Sequence, residues 1–175
     1  GYRLTLNEEQ QAVVDAVDAE FQAGQYGNYL IQGVTGSGKT EVYMELIARA
    51  AAAGRASIVL IPEIALTFQT VMRFYNRFGD RVSILHSRLS QGERYDQFLR
   101  AKNGELDVMI GPRSALFTPF SNLGYIIIDE EHETSYKSET VPRYHARETA
   151  FARARMAGAS VVLGSATPSL ESSYY

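Results

Sequence analysis

The chain has 175 residues, no cysteine and a net charge of −3, with 45% hydrophobic and 21% charged residues. That length is ample for one buried core, and the lack of thiols rules out disulfides and thiolate-bound metals within these residues. The slight acidity argues against a broadly basic binding surface, so any contact with a nucleic acid has to be local. No apolar run is long enough to span a bilayer, and no charged-then-apolar leader opens the sequence.

In chain order, Asn7 followed three residues later by Gln10 predicts a capping box that opens a first helix, with Val13, Val17 and Phe21 on one side. Tyr29–Ile31 is the first of six short apolar runs; the others are Ile58–Ile61, Val82–Leu85, Val108–Ile110, Tyr125–Ile128 and Val161–Leu163. They are continuous rather than alternating, which predicts strands covered on both faces, as in a parallel sheet. Between them, Tyr43, Leu46, Ile47 and Ala50 follow helical spacing, as do Val71, Phe74, Tyr75 and Phe78. Gly54 and Gly79 stand where helices end. The alternation predicts a single three-layer α/β domain over residues 1–175. Glu131–Tyr144 is the longest stretch without a clear period and reads as a loop, and Ser172–Tyr175 reads as the start of a helix.

Gly33 to Thr40 read GVTGSGKT, the pattern G-x-x-x-x-G-K-[ST], directly after an apolar run and before a helical pattern. Such a loop turns the backbone N–H groups of Gly33, Thr35, Gly36, Ser37 and Gly38 toward phosphate oxygens at the positive end of a helix. Lys39 then reaches the β/γ-phosphates and the Thr40 hydroxyl serves Mg²⁺. A glycine-rich turn with an incidental lysine is the competing reading, and the flanking strand and helix disfavour it. A second signal is Ile126-Ile127-Ile128-Asp129-Glu130-Glu131-His132, an apolar run delivering carboxylates where ligands bind in open parallel sheets. Asp129 suits Mg²⁺, held through water, and Glu130 suits an attacking water that must be oriented and deprotonated. Alone, this stretch reads more readily as a solvated acidic turn; beside a phosphate loop it reads as a hydrolytic centre.

Asp129–His132 resembles the DExH box of superfamily 2 helicases, and Gly164-Ser165-Ala166-Thr167-Pro168 is similar to their motif III. Pro62–Thr67 lies where motif Ia falls. GVTGSGKTEVY (Gly33–Tyr43), GPRSALFTPF (Gly111–Phe120), DEEHETSYK (Asp129–Lys137), RYHAR (Arg143–Arg147) and GSATPS (Gly164–Ser169) together resemble the primosomal replication-restart helicases, from about Leu4 to the end. The resemblance implies a RecA-like lobe that binds ATP or ADP with Mg²⁺, in a bacterial cytoplasmic motor that unwinds DNA 3′-to-5′. Its implied partners are single-stranded and forked DNA, primosome proteins and single-stranded-DNA-binding protein. It also implies that a second lobe bearing an arginine finger, a zinc-binding insert and a fork-recognising domain lie outside this stretch, so zinc is expected only there.

The resemblance assigns further residues. Gln10 falls where related helicases read adenine, although its capping role is a rival account. Ser165 and Thr167 are implied to couple nucleotide state to DNA, with His132 hydrogen-bonded toward motif III. Arg113 and Ser114 fit contacts to DNA phosphates, which position a strand without reading it; a surface ion pair is the rival for Arg113. Thr67 offers a hydroxyl to phosphate, while the neighbouring Glu63 reads as structural. Tyr136, Lys137 and Tyr144 fall in an aromatic-rich stretch suited to stacking on bases and pairing with the backbone, or to packing on the lobe. His86 and His145 are given no chemistry. Other motors of the same superfamily, such as branch-migration or repair translocases, share the phosphate loop and acidic box. A nucleotide-binding module without turnover remains a second alternative, and a small-molecule kinase a third.

Overall fold

In the computed structural model, the described residues are 6–33, 36–130, 140–166 and 171–174, with the side chains of 33–37, 140–145, 166 and 171–174 left undescribed. The elements in order are α1 (Glu8–Gln22), β1 (Asn28–Gly33), α2 (Gly36–Ala52), β2 (Ala56–Leu60), α3 (Phe68–Phe78), β3 (Val82–Ile84), α4 (Gln91–Lys102), β4 (Val108–Gly111), β5 (Leu123–Asp129), α5 (Thr140–Ala157), β6 (Ser160–Ala166) and β7 (Glu171–Tyr174). Short 3₁₀ turns follow β2 (Glu63–Ala65) and β4 (Arg113–Phe117).

All six expected strands are present and parallel, in the order β3-β4-β2-β5-β6-β1. Two corrections concern the end of the chain and the long polar stretch. Ser172–Tyr174 belong to β7, which runs antiparallel along the free edge of β1, with Tyr29 opposite Tyr174; they do not begin a helix. The unpaired N–H and C=O groups of β1 give these polar residues a ladder that their own composition does not announce. The stretch read as a loop to Tyr144 is already α5 from Thr140. Pro142 is compatible with that start because a first-turn N–H has no helical partner to lose.

Helices cover both faces, so the three-layer expectation holds. On one side, Val14, Val17, Tyr43, Leu46, Ile47 and Phe74 pack with Ile31, Val59, Ile110, Ile127 and Val162. On the other, Ala101, Leu116, Phe120, Ala150 and Ala154 pack with Ile58, Leu60, Ile126, Ile128, Val161 and Leu163. Successive residues of β2 and β5 thus enter opposite cores, as the pleat requires, and strands buried on both sides must be apolar throughout. The predicted α2 face is fully buried, whereas of Val71, Phe74, Tyr75 and Phe78 only Phe74 is. Arg73–Glu41 and Arg77–Glu45 ion pairs, both 2.7 Å, fasten α3 to α2 along its polar flank. Gly54 and Gly79 both take the positive φ expected after a helix, +78° and +58°.

Candidate functional site

Every strand of the parallel set ends at the same edge, and the motifs leave from those ends. The order β5-β6-β1 sets the acidic box two strands from the phosphate loop, with β6 between them. Register makes this specific: Asp129 lies opposite Gly164, Gln32 opposite Ser165, and Gly33 opposite Ala166. The backbone N–H of Glu130 extends the ladder by one bond to the Gly164 carbonyl, 2.7 Å.

Lys39 and Thr40 lie in the first turns of α2 and are buried, with Lys39 only 1% exposed. The Lys39 Nζ stands 3.7 Å from Asp129 Oδ1. A buried ammonium is tolerated only with compensating charge, and the carboxylate supplies it. The Tyr43 hydroxyl donates to the same Oδ1 at 3.3 Å. Tyr43 fits because residue 164 is glycine: a Cβ there would come within 1.6 Å of the Tyr43 oxygen. Helix α2, the Asp129 strand and the GSATPS strand are thereby locked at one point. Glu130 is also buried, and Arg147 of α5 grips it in a bidentate pair, Nε to Oε2 at 2.6 Å and Nη2 to Oε1 at 2.5 Å. Such forked pairs are among the stronger charge-assisted contacts.

Gln10 closes the capping box with Asn7 as expected, and its amide nitrogen also donates to the Gly38 carbonyl at 3.2 Å. It therefore braces α1 against the phosphate loop while keeping a second N–H and a second carbonyl lone pair. Thr67 caps α3, accepting the Thr70 N–H at 3.2 Å, and is exposed. Glu63 accepts the Ser87 N–H at 2.7 Å, in keeping with a structural role, and that bond holds its carboxyl below the ordinary range. Arg113 is exposed on its 3₁₀ turn and pairs with no carboxylate among the described residues; Ser114 beside it is half-buried. Ser165 is half-buried on β6. Thr35, His132, Tyr136, Lys137 and Thr167 lie outside the described residues, as do the side chains of Ser37 and Tyr144.

Residues 7–173 match the DEAD/DEAH box helicase family, nearly the whole chain. The chain belongs to that family. Among individual helicases it is 51% identical over 169 residues to the replication restart protein PriA of Bacillus subtilis (strain 168), covering 97% of this chain and 21% of that protein. It is 49% identical to PriA of Chlamydia pneumoniae, covering 95% of this chain and 22% of that one. The chain thus spans about a fifth of the length of the curated relatives it matches. The replication-restart resemblance read from five short stretches is borne out by these names. Among solved structures it is similar to RecG bound to a three-way DNA junction, with TM-score 0.70 and 25% identity over 95% of this chain and 22% of that one. A hypothetical ATP-dependent RNA helicase from Sulfolobus tokodaii shares the fold, with TM-score 0.62 and 20% identity over 95% of this chain and 47% of that one. Among the described residues, no helix of this helicase segment is long and apolar enough to cross a membrane.

Two residues of this helicase site escaped the sequence reading. Tyr43 satisfied the apolar period of α2, so its hydroxyl carried no separate signal. Arg147 ended the RYHAR stretch, but a partner 17 residues back across a strand–helix connection is invisible to local spacing.

Proposed function

We propose that these residues are the ATP-binding lobe of a PriA-type DNA helicase: a bacterial, cytoplasmic, 3′-to-5′ motor that restarts replication at stalled forks. The observation that carries the reading is the buried Lys39–Asp129 pair beside Glu130, reached from three neighbouring strand ends. The relatives named PriA and the likeness to RecG on a DNA junction support a DNA motor over a small-molecule kinase. In this reading a second lobe, a zinc-binding insert and a fork-recognising domain complete the motor outside these 175 residues.

The phosphate-loop backbone binds the β- and γ-phosphates, and Lys39 adds a fixed positive charge in a site shielded from water, where it acts most strongly. Tyr43 keeps Asp129 oriented. The Thr40 hydroxyl and Asp129 carboxylate are hard oxygen donors of the kind Mg²⁺ takes alongside substrate phosphates, so they fit it. When bound, Mg²⁺ neutralises charge developing on the transferred phosphoryl group. Glu130 orients the water and accepts its proton, Ser165 lies on the strand next to the phosphate loop, and Gln10 offers its remaining donor and acceptor to adenine. Arg113, Ser114 and Thr67, at the ends of β4 and β2, face a DNA backbone crossing the same edge.

The test is nucleotide binding and DNA-stimulated ATP hydrolysis in the full-length protein, with Lys39→Ala beside it. Losing hydrogen bonds to a charged group of about 1.5–3 kcal/mol weakens nucleotide affinity by roughly 10- to 150-fold. Unchanged affinity by calorimetry would refute the assigned cradle, and hydrolysis indifferent to single-stranded DNA would refute the motor.

A further inference from the structure

The strands β3, β4 and β2 adjoin in that order at one flank of the sheet, and the segments leaving their ends carry groups that the hydrolytic centre does not use. After β2, Ile64 and Phe68 stand on either side of the Thr67 cap, and each is 78% exposed. Large apolar side chains exposed singly are ordinary, whereas close neighbours that form a patch mark a contact surface. Met72 and Tyr75, further along α3, are only 38% and 41% exposed, so the patch centres on the strand-end edge and not on the length of the helix. The charges left open around it are positive. Glu63 is committed to the Ser87 N–H at 2.7 Å, a bond that also draws the end of β2 against the end of β3 and sets Ile64 and Arg88 on its two sides. Arg88, and Arg113 at the end of β4, are exposed and form no ion pair among the described residues. A groove of about 820 Å³ opens at the same bond, lined by Glu63, Leu66, Tyr75, His86 and Arg88.

We propose that Phe68, with Ile64 beside it, is a platform on which a base of single-stranded DNA stacks while Arg88 and Arg113 hold the flanking phosphates. The inference rests on the reading of this lobe as part of a DNA motor with backbone contacts at Thr67 and Arg113, and it adds a base contact that this reading lacks. Single-stranded DNA offers phosphates on one side and flat apolar faces on the other, and unpaired cations beside an exposed aromatic ring answer both. Stacking tolerates any sequence, because every base has a π-face, and phosphate contacts read none; a motor that travels along a strand needs that tolerance. Phe68 is also held ready. Thr67 accepts the Thr70 N–H at 3.2 Å and so fixes the first turn of α3, and a phenyl ring has only two side-chain torsions to order on contact. A protein segment seated on the same patch would use its apolar area without needing an aromatic face or a nucleobase, which makes the two occupants separable.

The experiment uses the full-length protein carrying Phe68→Ala, Phe68→Leu or Phe68→Trp, with Arg113→Ala for contrast. The reading is the DNA concentration that half-saturates the stimulation of ATP hydrolysis, which reports engagement of the motor itself. Two probes of equal length are compared: oligothymidylate, and an abasic oligomer that keeps the phosphates and lacks the bases. With oligothymidylate, Phe68→Ala raises the half-saturating concentration about fivefold or more, Phe68→Leu does nearly the same, and Phe68→Trp stays within about twofold of the parent. With the abasic oligomer the four proteins that differ only at residue 68 converge. The salt dependence of the oligothymidylate value is unchanged in Phe68→Ala, because no phosphate contact is lost, and is shallower in Arg113→Ala. Phe68 is exposed, so the variants keep the fold, and ADP affinity by calorimetry checks that they do. A Phe68→Ala value equal to the parent's, or a loss of the same size on the abasic oligomer, overturns the stacking platform. Full retention by Phe68→Leu overturns it too and marks the patch as a seat for protein. A parent protein whose hydrolysis ignores oligothymidylate overturns the functional reading itself, which the variants alone do not do.

Discussion

At Gly164 a single hydrogen in place of a methyl group decides how three motifs meet. The Tyr43 oxygen occupies the space a Cβ would need, at 1.6 Å, and the next ring carbon lies at 2.7 Å from it. Both are buried in a packed sheet–helix interface, so Gly164→Ala forces Tyr43 away from Asp129 or shifts β6. Overpacking of this sort costs about 1–3 kcal/mol. The expected outcome is a lower urea midpoint together with reduced hydrolysis. Tyr43→Phe removes the nearest atom, so in the double variant part of the stability returns, and a double-mutant cycle reads the coupling. Strictly additive losses would show that the contact is not what Gly164 preserves. Lys39, Asp129 and Glu130 were each legible as residues, because their chemistry sits in contiguous patterns. Their mutual geometry was not, since Tyr43 and Asp129 are 86 positions apart.

Among the elements, α4 shows what a weak period conceals. Its residues Gln91–Lys102 are mostly polar and only Ala101 is buried, so the apolar spacing that announced α2 is missing. The helix is signalled at its start instead: Ser90 accepts the Glu93 N–H at 3.1 Å and Glu93 accepts the Ser90 N–H at 2.8 Å. That backbone bond holds the Glu93 carboxyl below its ordinary 4.5. With the folded value lower than the unfolded one, the contribution to stability is complete above about pH 4.5 and is lost as pH falls through the folded value. Glu63, held by the Ser87 N–H, acts in the same direction. The slope of stability against pH in the acid range is therefore shallower in Glu93→Gln, measured by urea unfolding at several pH values; parallel slopes for variant and parent would exclude the box as a contributor. The start of α5 and strand β7 depart from the sequence expectation for related reasons. The first turn of α5 lacks an apolar period, and β7 takes its form from the open edge of β1 rather than from its own residues.

For the whole molecule, one sheet brings buried Lys39 and the Asp129 carboxylate together, and the 175 residues correspond to about a fifth of the length of PriA relatives. An arginine finger, in the proposed motor, comes from elsewhere and is worth about 10³–10⁵ in rate. These residues alone should therefore bind ADP with an affinity close to that of the full-length protein yet hydrolyse ATP slower by about that factor. Brisk, DNA-stimulated turnover by the 175-residue chain would contradict the division. By itself the sequence determined the strands, the phosphate loop and the acidic run, because each is written in neighbouring residues whose spacing matches a backbone period. It also determined the family, through five short stretches in order. Only the tertiary structure decided which strand ends adjoin, that Tyr43 fills the space above Gly164, and that Arg147 grips Glu130. Those contacts depend on the order β5-β6-β1 and on where α5 docks, and strand order is a property of global packing that no local spacing encodes.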